Sequence, residues 1–413
     1  MTSLFKSSIT LQNLESDLQK HFKTDSKFGP NVNFRDLGEG NGIVSQVGLL
    51  TADWQPSNHT LPATFAVKVA TSANVETDNE LQKLSRETNV DDAKQQRIVN
   101  YHNTEISVLT TLQENHVNVK LAEVYAWKER KNFKDDGYIV MKHFDGVSSY
   151  LHMNNNLTEA AIEDIIHQLS EIHKSAPLFS EEQQTKMQGN MYQDTFNIMF
   201  EPAMIKSLGL MIKNFGGEMM AKECEELLPV LEEMKEPCYL KWIDETCENL
   251  GIARMLCHGD VWMCNMLLKR TGDCPSNEEY ELKALIDLQT AQIANPAADL
   301  VRLFTGCLSG KERRANWQKY VKLWWAKMST GPVACPYTYE QILEAYYRVF
   351  PAAAFVVAGS IGAVGPNIVK KQPDEEAQRQ AQKSLLEKQH AILQDVIHYH
   401  KRNMSLIKGN ETK

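Results

Sequence analysis

Residues 256–268, Leu-Cys-His-Gly-Asp-Val-Trp-Met-Cys-Asn-Met-Leu-Leu, set a histidine, a carboxylate and a carboxamide at fixed intervals against an apolar run. This stretch constrains the fold more than any other, because polar groups flanked by buried strand must each find a partner or a task. Asp260 and Asn265 stand five residues apart. A second carboxylate, Asp287, closes the apolar strand in Leu-Lys-Ala-Leu-Ile-Asp-Leu-Gln, residues 282–289, where a second metal ligand would emerge to face the first. Singly, His-Gly-Asp is an ordinary turn and Ile-Asp an ordinary strand end; in this order they read as a reaction site.

Size and charge narrow the class. A chain of 413 residues exceeds the roughly 250–300 residues at which single cores stop growing, so two lobes are expected. The net charge of −9 lacks the basic footprint of a nucleic-acid binder, which leaves a small molecule as the expected partner. Eight cysteines are scattered without C-x-x-C pairs, and the N-terminal residues lack the apolar core of a secretory signal, so reduced thiols and a cytoplasmic location are expected. The apolar run from Ala352 to Val364 is interrupted by Gly359 and Gly362 and ends at Gly365-Pro366. It falls short of the roughly 20 residues of a membrane span and reads as a buried helix, with no membrane partner expected.

Along the chain, Ile9, Leu11, Leu14, Leu18 and Phe22 recur at helical spacing. Gly38, Gly40 and Gly42 alternate around Glu39 and Asn41 before a strand from Ile43 to Leu50; Gly40, Asn41 and Gly42 could cradle a phosphate, or simply form a hairpin turn. Phe65-Ala66-Val67-Lys68-Val69 is a strand carrying one lysine, and the helix predicted over Tyr101–Leu112 offers Glu105 as its partner. Two further strands are predicted at Val119–Trp127 and Gly137–Phe144, after which the pattern turns helical at Gly146. Ile162, Ile165, Ile166, Leu169 and Ile172 form one helix face, with His173 beside it read as a cap or surface residue rather than a ligand. Ser180-x-x-Gln183 and Thr338-x-x-Gln341 have the form of capping boxes. Asp299 lies near the start of a helix opened by Asn295-Pro296, the tryptophans 317, 324 and 325 read as core, and a last helix runs from about Pro373 to Arg402.

These motifs together carry a resemblance. Gly40-Asn41-Gly42 with Ser45, Phe65 to Val69, His258-Gly259-Asp260-Val261-Trp262 with Asn265, Ile286-Asp287-Leu288-Gln289 and Asp299-Leu300-Val301-Arg302 resemble the choline-kinase-like small-molecule kinases, in the nematode branch related to the insect ecdysteroid kinases. The resemblance implies an α+β, protein-kinase-like, two-lobed fold: a small β-rich N-terminal lobe over residues 1–145 and a larger, mainly helical C-terminal lobe over 146–413. It implies ATP and Mg2+ as cofactors and a small-molecule alcohol, such as a sterol or glycoside, as acceptor. Asp260 would orient and deprotonate the acceptor hydroxyl, His258 would brace its loop, and Asn265 and Asp287 would bind magnesium. Lys68, held by Glu105, would grip the nucleotide phosphates. The segment holding Met141 and His143 would lend backbone groups to an adenine, or serve only as an edge strand. Val261 and Leu288 depart from the branch by apolar exchanges. A catalytically silent ligand-binding protein and a kinase for a cationic, choline- or aminoglycoside-type substrate are the alternatives.

Overall fold

The computed structural model describes residues 3–37, 45–71, 92–147, 153–187, 202–271, 279–330 and 337–411. The chain forms two compact units, one of Met1–His116, Leu121–Asp145 and Asp287–Thr290, the other of Val117–Lys120, Gly146–Ile286 and Ala291–Lys413.

The first unit is built on strands β1 (Lys27–Phe28), β2 (Asn33–Asp36), β3 (Ser45–Thr51), β4 (Trp54–Gln55), β5 (Thr64–Ala70), β6 (Val124–Lys128) and β7 (Gly137–Lys142). A five-stranded antiparallel sheet has the order β2-β3-β5-β7-β6, while β1 pairs with β4. Strand alternation divides β5: Phe65, Val67 and Val69 join one core cluster with Leu14 and Leu18 of the helix Leu11–Phe22, while Lys68 takes the opposite phase. Phe65 is fully buried, edge-on to Tyr125 and Trp54 at ring-centroid distances of 5.6 and 6.3 Å.

The expected helix over Tyr101–Leu112 is longer, Asp92–Glu114. Its first turns carry polar residues with no apolar period, which is why the sequence reads there as loop. Glu105 lies on the buried stripe with Val99, His102, Ile106 and Leu109. Flanking contacts fix its height: His102 donates from Nε2 to the Lys128 carbonyl at 2.9 Å, and Asn103 brackets the Arg130 backbone with bonds of 2.8 and 2.9 Å. Burial pulls the His102 imidazole down to about 4, so it serves this bond neutral. Gly137 permits the close approach, since a Cβ there would lie 2.3 Å from His102 Nε2. The strand expected from Val119 starts only at Val124, because the Lys120 N–H is taken by the Gln168 side chain, not by a strand.

The second unit is mainly helical, with two short antiparallel pairs, β8 (Met255–Cys257) with β11 (Gln292–Ala294) and β9 (Met266–Arg270) with β10 (Tyr280–Leu285). The helix Ala297–Cys307 is buried along its whole length. Beside it packs the helix Tyr339–Lys370, which also meets the helices Pro202–Gly216 and Glu375–Glu411. The run predicted as a buried helix thus belongs to a 32-residue element. By length and composition this element could cross a membrane, and 72% of its most apolar window is buried in the protein. Its glycines admit the Pro202–Gly216 helix: a Cβ at Gly365 would stand 2.9 Å from the Phe215 ring. Both predicted capping boxes form, with Ser180 and Thr338 each exchanging bonds with the glutamine three residues on.

Removing the central ring of the first unit should be costly and removing an exposed one should not. Phe65→Ala is expected to lose about 3–5 kcal/mol in urea denaturation, whereas Trp127→Ala, at a residue 42% exposed, stays within about 0.5 kcal/mol.

Candidate active site

In the first unit, Lys68 reaches from β5 to two carboxylates, with Nζ 2.5 Å from Glu105 Oε2 and 2.6 Å from Asp287 Oδ1. The Lys68 and Glu105 side chains are only 8% and 3% exposed, while Asp287 keeps 29%. A buried ion triad is a poor way to gain stability, since desolvation offsets most of the attraction. Burial pulls the Lys68 ammonium down, but Asp287 and Glu105 outweigh it and hold the group above its ordinary value, so the lysine stays charged. Asp287 adopts φ +65°, a left-handed conformation that costs a non-glycine residue about 1–2 kcal/mol. Gln289 Nε2 lies 3.4 Å from the other Asp287 oxygen.

Met141 lies opposite Ala66 in the sheet, two positions along the register from the Ile139–Lys68 pair. His143 follows the end of β7, with Nδ1 3.3 Å from Thr64 Oγ1 and 3.4 Å from Asp145 Oδ1. Both lie on the strand next to Lys68 or just past its end, and neither side chain joins the ion triad. Gly40, Asn41 and Gly42 lie outside the described residues.

The second unit brings His258, Asp260 and Asn265 together. Asn265 donates from Nδ2 to Asp260 Oδ2 at 2.8 Å and to the Asp260 carbonyl at 2.9 Å. His258 is fully buried; its Nε2 bonds the Ile286 carbonyl at 3.0 Å, and its Nδ1 accepts the Asp260 N–H at 3.3 Å. Both ring nitrogens are therefore engaged, and the imidazole acts as a brace. Val261 and Leu288 are buried, so the two departures from the branch are exchanges among core residues.

The loop is held from behind by Asp299, in the first turn of the helix Ala297–Cys307. Its Oδ2 accepts the His258 N–H at 2.7 Å and its Oδ1 the Gly259 N–H at 2.9 Å. Gly259 has φ +84°, which a side chain would resist. His173, read from sequence as a cap or surface residue, is instead 1% exposed and bonds Asp299 Oδ2 at 3.1 Å. Its Nδ1 accepts from Trp324 Nε1 at 3.0 Å, which fixes the tautomer with the proton on Nε2. Burial pushes the Asp299 carboxyl up, yet His173, His258 and the Gly259 N–H outweigh it and hold it below its ordinary value.

His173, Cys257 and Asp299 offer ligand atoms within 4.8 Å of one another, the outline of a metal centre. Their bonding gives another reading. Both His173 nitrogens and both Asp299 oxygens are already matched, and burial holds the Cys257 thiol well above its ordinary value, away from the thiolate a metal needs. This is a hydrogen-bonded brace. Arg302 was not singled out for a role by sequence, yet its Nη1 donates to Asp260 Oδ1. No local pattern marks the contact, since its partner lies 42 residues away.

The model of the family DUF1679, described as "Uncharacterized oxidoreductase dhs-27", matches residues 2–404. "Uncharacterized kinase-like protein D1044.1" of Caenorhabditis elegans is 29% identical over 103 residues, 25% of this chain and 26% of that protein. "Uncharacterized oxidoreductase dhs-27" of the same organism is 24% identical over 337 residues, 78% of this chain and 38% of that protein. The chain thus spans between about a quarter and two fifths of the length of these curated relatives. Among solved structures it is similar to the choline kinase of Cryptosporidium parvum, at 10% identity and a TM-score of 0.47 over 97% of each chain.

Asp299→Asn keeps the shape of the brace and removes its charge. Breaking such a buried network is expected to cost about 3–5 kcal/mol. Because the folded carboxyl lies below the ordinary 3.8, it stabilises the protein above that pH and loses the contribution as pH falls through the folded value. Urea midpoints measured from neutral pH into acid should therefore fall more steeply for the native protein than for the asparagine variant.

Proposed function

The chain belongs to the DUF1679 family, and we propose that it is an ATP- and Mg2+-dependent phosphotransferase acting on a hydroxyl group of a small molecule. The observation that carries the reading is the buried Lys68–Glu105–Asp287 triad, whose lysine, helix glutamate and acid after a strand are the parts that grip nucleotide phosphates in kinases. A lysine and a glutamate buried at a cost to stability are better explained by function than by folding.

The donor atoms suit the cofactors. Within the second unit Asn265 turns its amide nitrogen to Asp260 and keeps its carbonyl oxygen as a donor, and within the first Asp287 offers a carboxylate; the sequence resemblance assigns both to magnesium, an ion that favours hard oxygen ligands of this kind. When bound, that ion would neutralise the charge that develops on the transferring phosphate. Lys68, fixed by Glu105, holds the phosphates, and the backbone around Met141 and His143 takes the adenine. Asp260 orients the acceptor hydroxyl and receives its proton, while His258 keeps the loop in place. Phosphoryl transfer asks for little beyond such positioning and charge matching. The sequence resemblance favours a neutral, lipophilic or glycosylated alcohol as acceptor.

The oxidoreductase name comes from the description of the family model and from the relative it is taken from, of which this chain spans 38%. Dinucleotide-dependent oxidoreductases of the doubly wound type need a parallel βαβ unit, and every strand pair among the described residues is antiparallel. A reduced, cytoplasmic setting is proposed from the scattered cysteine spacing of the sequence.

Thermal melting tests the reading. A ligand at 100 times its Kd stabilises the native state by about 2.7 kcal/mol, so MgATP should raise the midpoint by a few degrees. The magnesium-dependent part should vanish in Asp287→Ala. No shift at millimolar nucleotide would remove the kinase reading in favour of a silent ligand-binding protein.

A further inference from the structure

We infer that Arg302 is a positioning residue for Asp260, an assignment that rests on the reading of Asp260 as the group that meets the acceptor hydroxyl. The helix Ala297–Cys307 turns one face to the loop that follows β8, and three residues at successive turns do different work. Asp299 takes the His258 and Gly259 N–H groups. Arg302, three residues on, donates to Asp260 Oδ1. Gly306, four further, makes room for the loop, since a Cβ there would stand 2.8 Å from Trp262 Cβ. One rigid helix thus holds the backbone before Asp260, the side chain of Asp260 and the residues after it.

The contact has the form of a clamp. Asn265 takes Asp260 Oδ2 and Arg302 takes Oδ1, so the carboxylate plane is fixed from both edges while each oxygen keeps a lone pair free. Exposure is graded: the Arg302 side chain is 5% exposed and that of Asp260 is 30%, so the cation stands behind and the carboxylate in front. Arg302 spends its Nη1 on Asp260, and its Nε is buried without a partner among the described residues.

Arg302 therefore acts through Asp260 and not on the nucleotide. A carboxylate held on both oxygens keeps one rotamer, and catalytic geometry depends on side chains locked by their supporting contacts. The cation also offsets the carboxylate's repulsion of an incoming phosphate, which a neutral residue at 302 would not do.

The test uses the full chain with 13Cγ-labelled aspartate, the Asp260 resonance being assigned by its loss in Asp260→Asn. At neutral pH the native protein should give one sharp Asp260 line, and Arg302→Gln should broaden it at least about twofold or split it as the rotamer is freed. Arg302→Lys, which keeps the charge and loses the fork, should fall between the two. The Kd for MgADP should stay within about twofold across the set. An Asp260 line unchanged in Arg302→Gln overturns the assignment, as does loss of MgADP affinity in parallel with broadening of many other lines, the mark of a general structural role. If Arg302→Gln does not fold, Arg302→Lys decides: a broadened line supports the clamp and a native line overturns it. A native protein that binds no MgADP would remove the kinase reading while leaving the Asp260 line to report on Arg302.

Discussion

One fully buried carboxylate sets the geometry of the second unit. Asp299 has no water to solvate it, so its charge has to be matched by donors, and the donors are the His258 and Gly259 N–H groups and the His173 ring. Because those two amides open the loop, satisfying Asp299 and shaping the loop are the same event. Trp324 fixes the His173 tautomer, so even an indole on the helix Gly310–Met328 bears on where Asp260 points. The match of charge to donors explains why a cluster with the outline of a metal centre works as a brace.

The first unit solves a related problem with opposite charge. Strand alternation places Lys68 out of phase with Phe65, Val67 and Val69, and the helix Asp92–Glu114 brings Glu105 to it on an otherwise apolar stripe. Asp287 completes the triad only by adopting a left-handed backbone. Such strain persists where the surroundings over-determine it, which is the common condition of a working site. Each unit therefore carries charges held in place by its own packing, as the proposed phosphoryl transfer would require.

Local chemistry was legible in the sequence and tertiary chemistry was not. The β5 strand, the capping boxes at Ser180 and Thr338, and the five-residue interval of Asp260 and Asn265 are short-range patterns, and each leaves a period or a spacing to read. The Lys68–Glu105 pairing was legible because both residues break an apolar pattern and so need a partner. His173 was misread because its partners, Asp299 and Trp324, lie 126 and 151 residues away, and nothing local distinguishes a buried histidine from an exposed one at a helix end. Arg302 was passed over for the same reason. Helix extents come out short where the extra turns are polar, as at the start of Asp92–Glu114.

As the proposed phosphotransferase, this chain would move a phosphate from ATP to a hydroxyl of a small molecule. The most direct measurement is transfer of label from γ-32P-ATP, with magnesium, into a panel of sterols, glycosides and simpler alcohols, the products being separated from inorganic phosphate by chromatography. A labelled organic phosphate that depends on magnesium and disappears with Asp260→Asn is expected. Labelled product formed equally by the Asp260→Asn variant, or MgATP bound tightly with no transfer to any neutral alcohol while a cationic acceptor is phosphorylated, would contradict it.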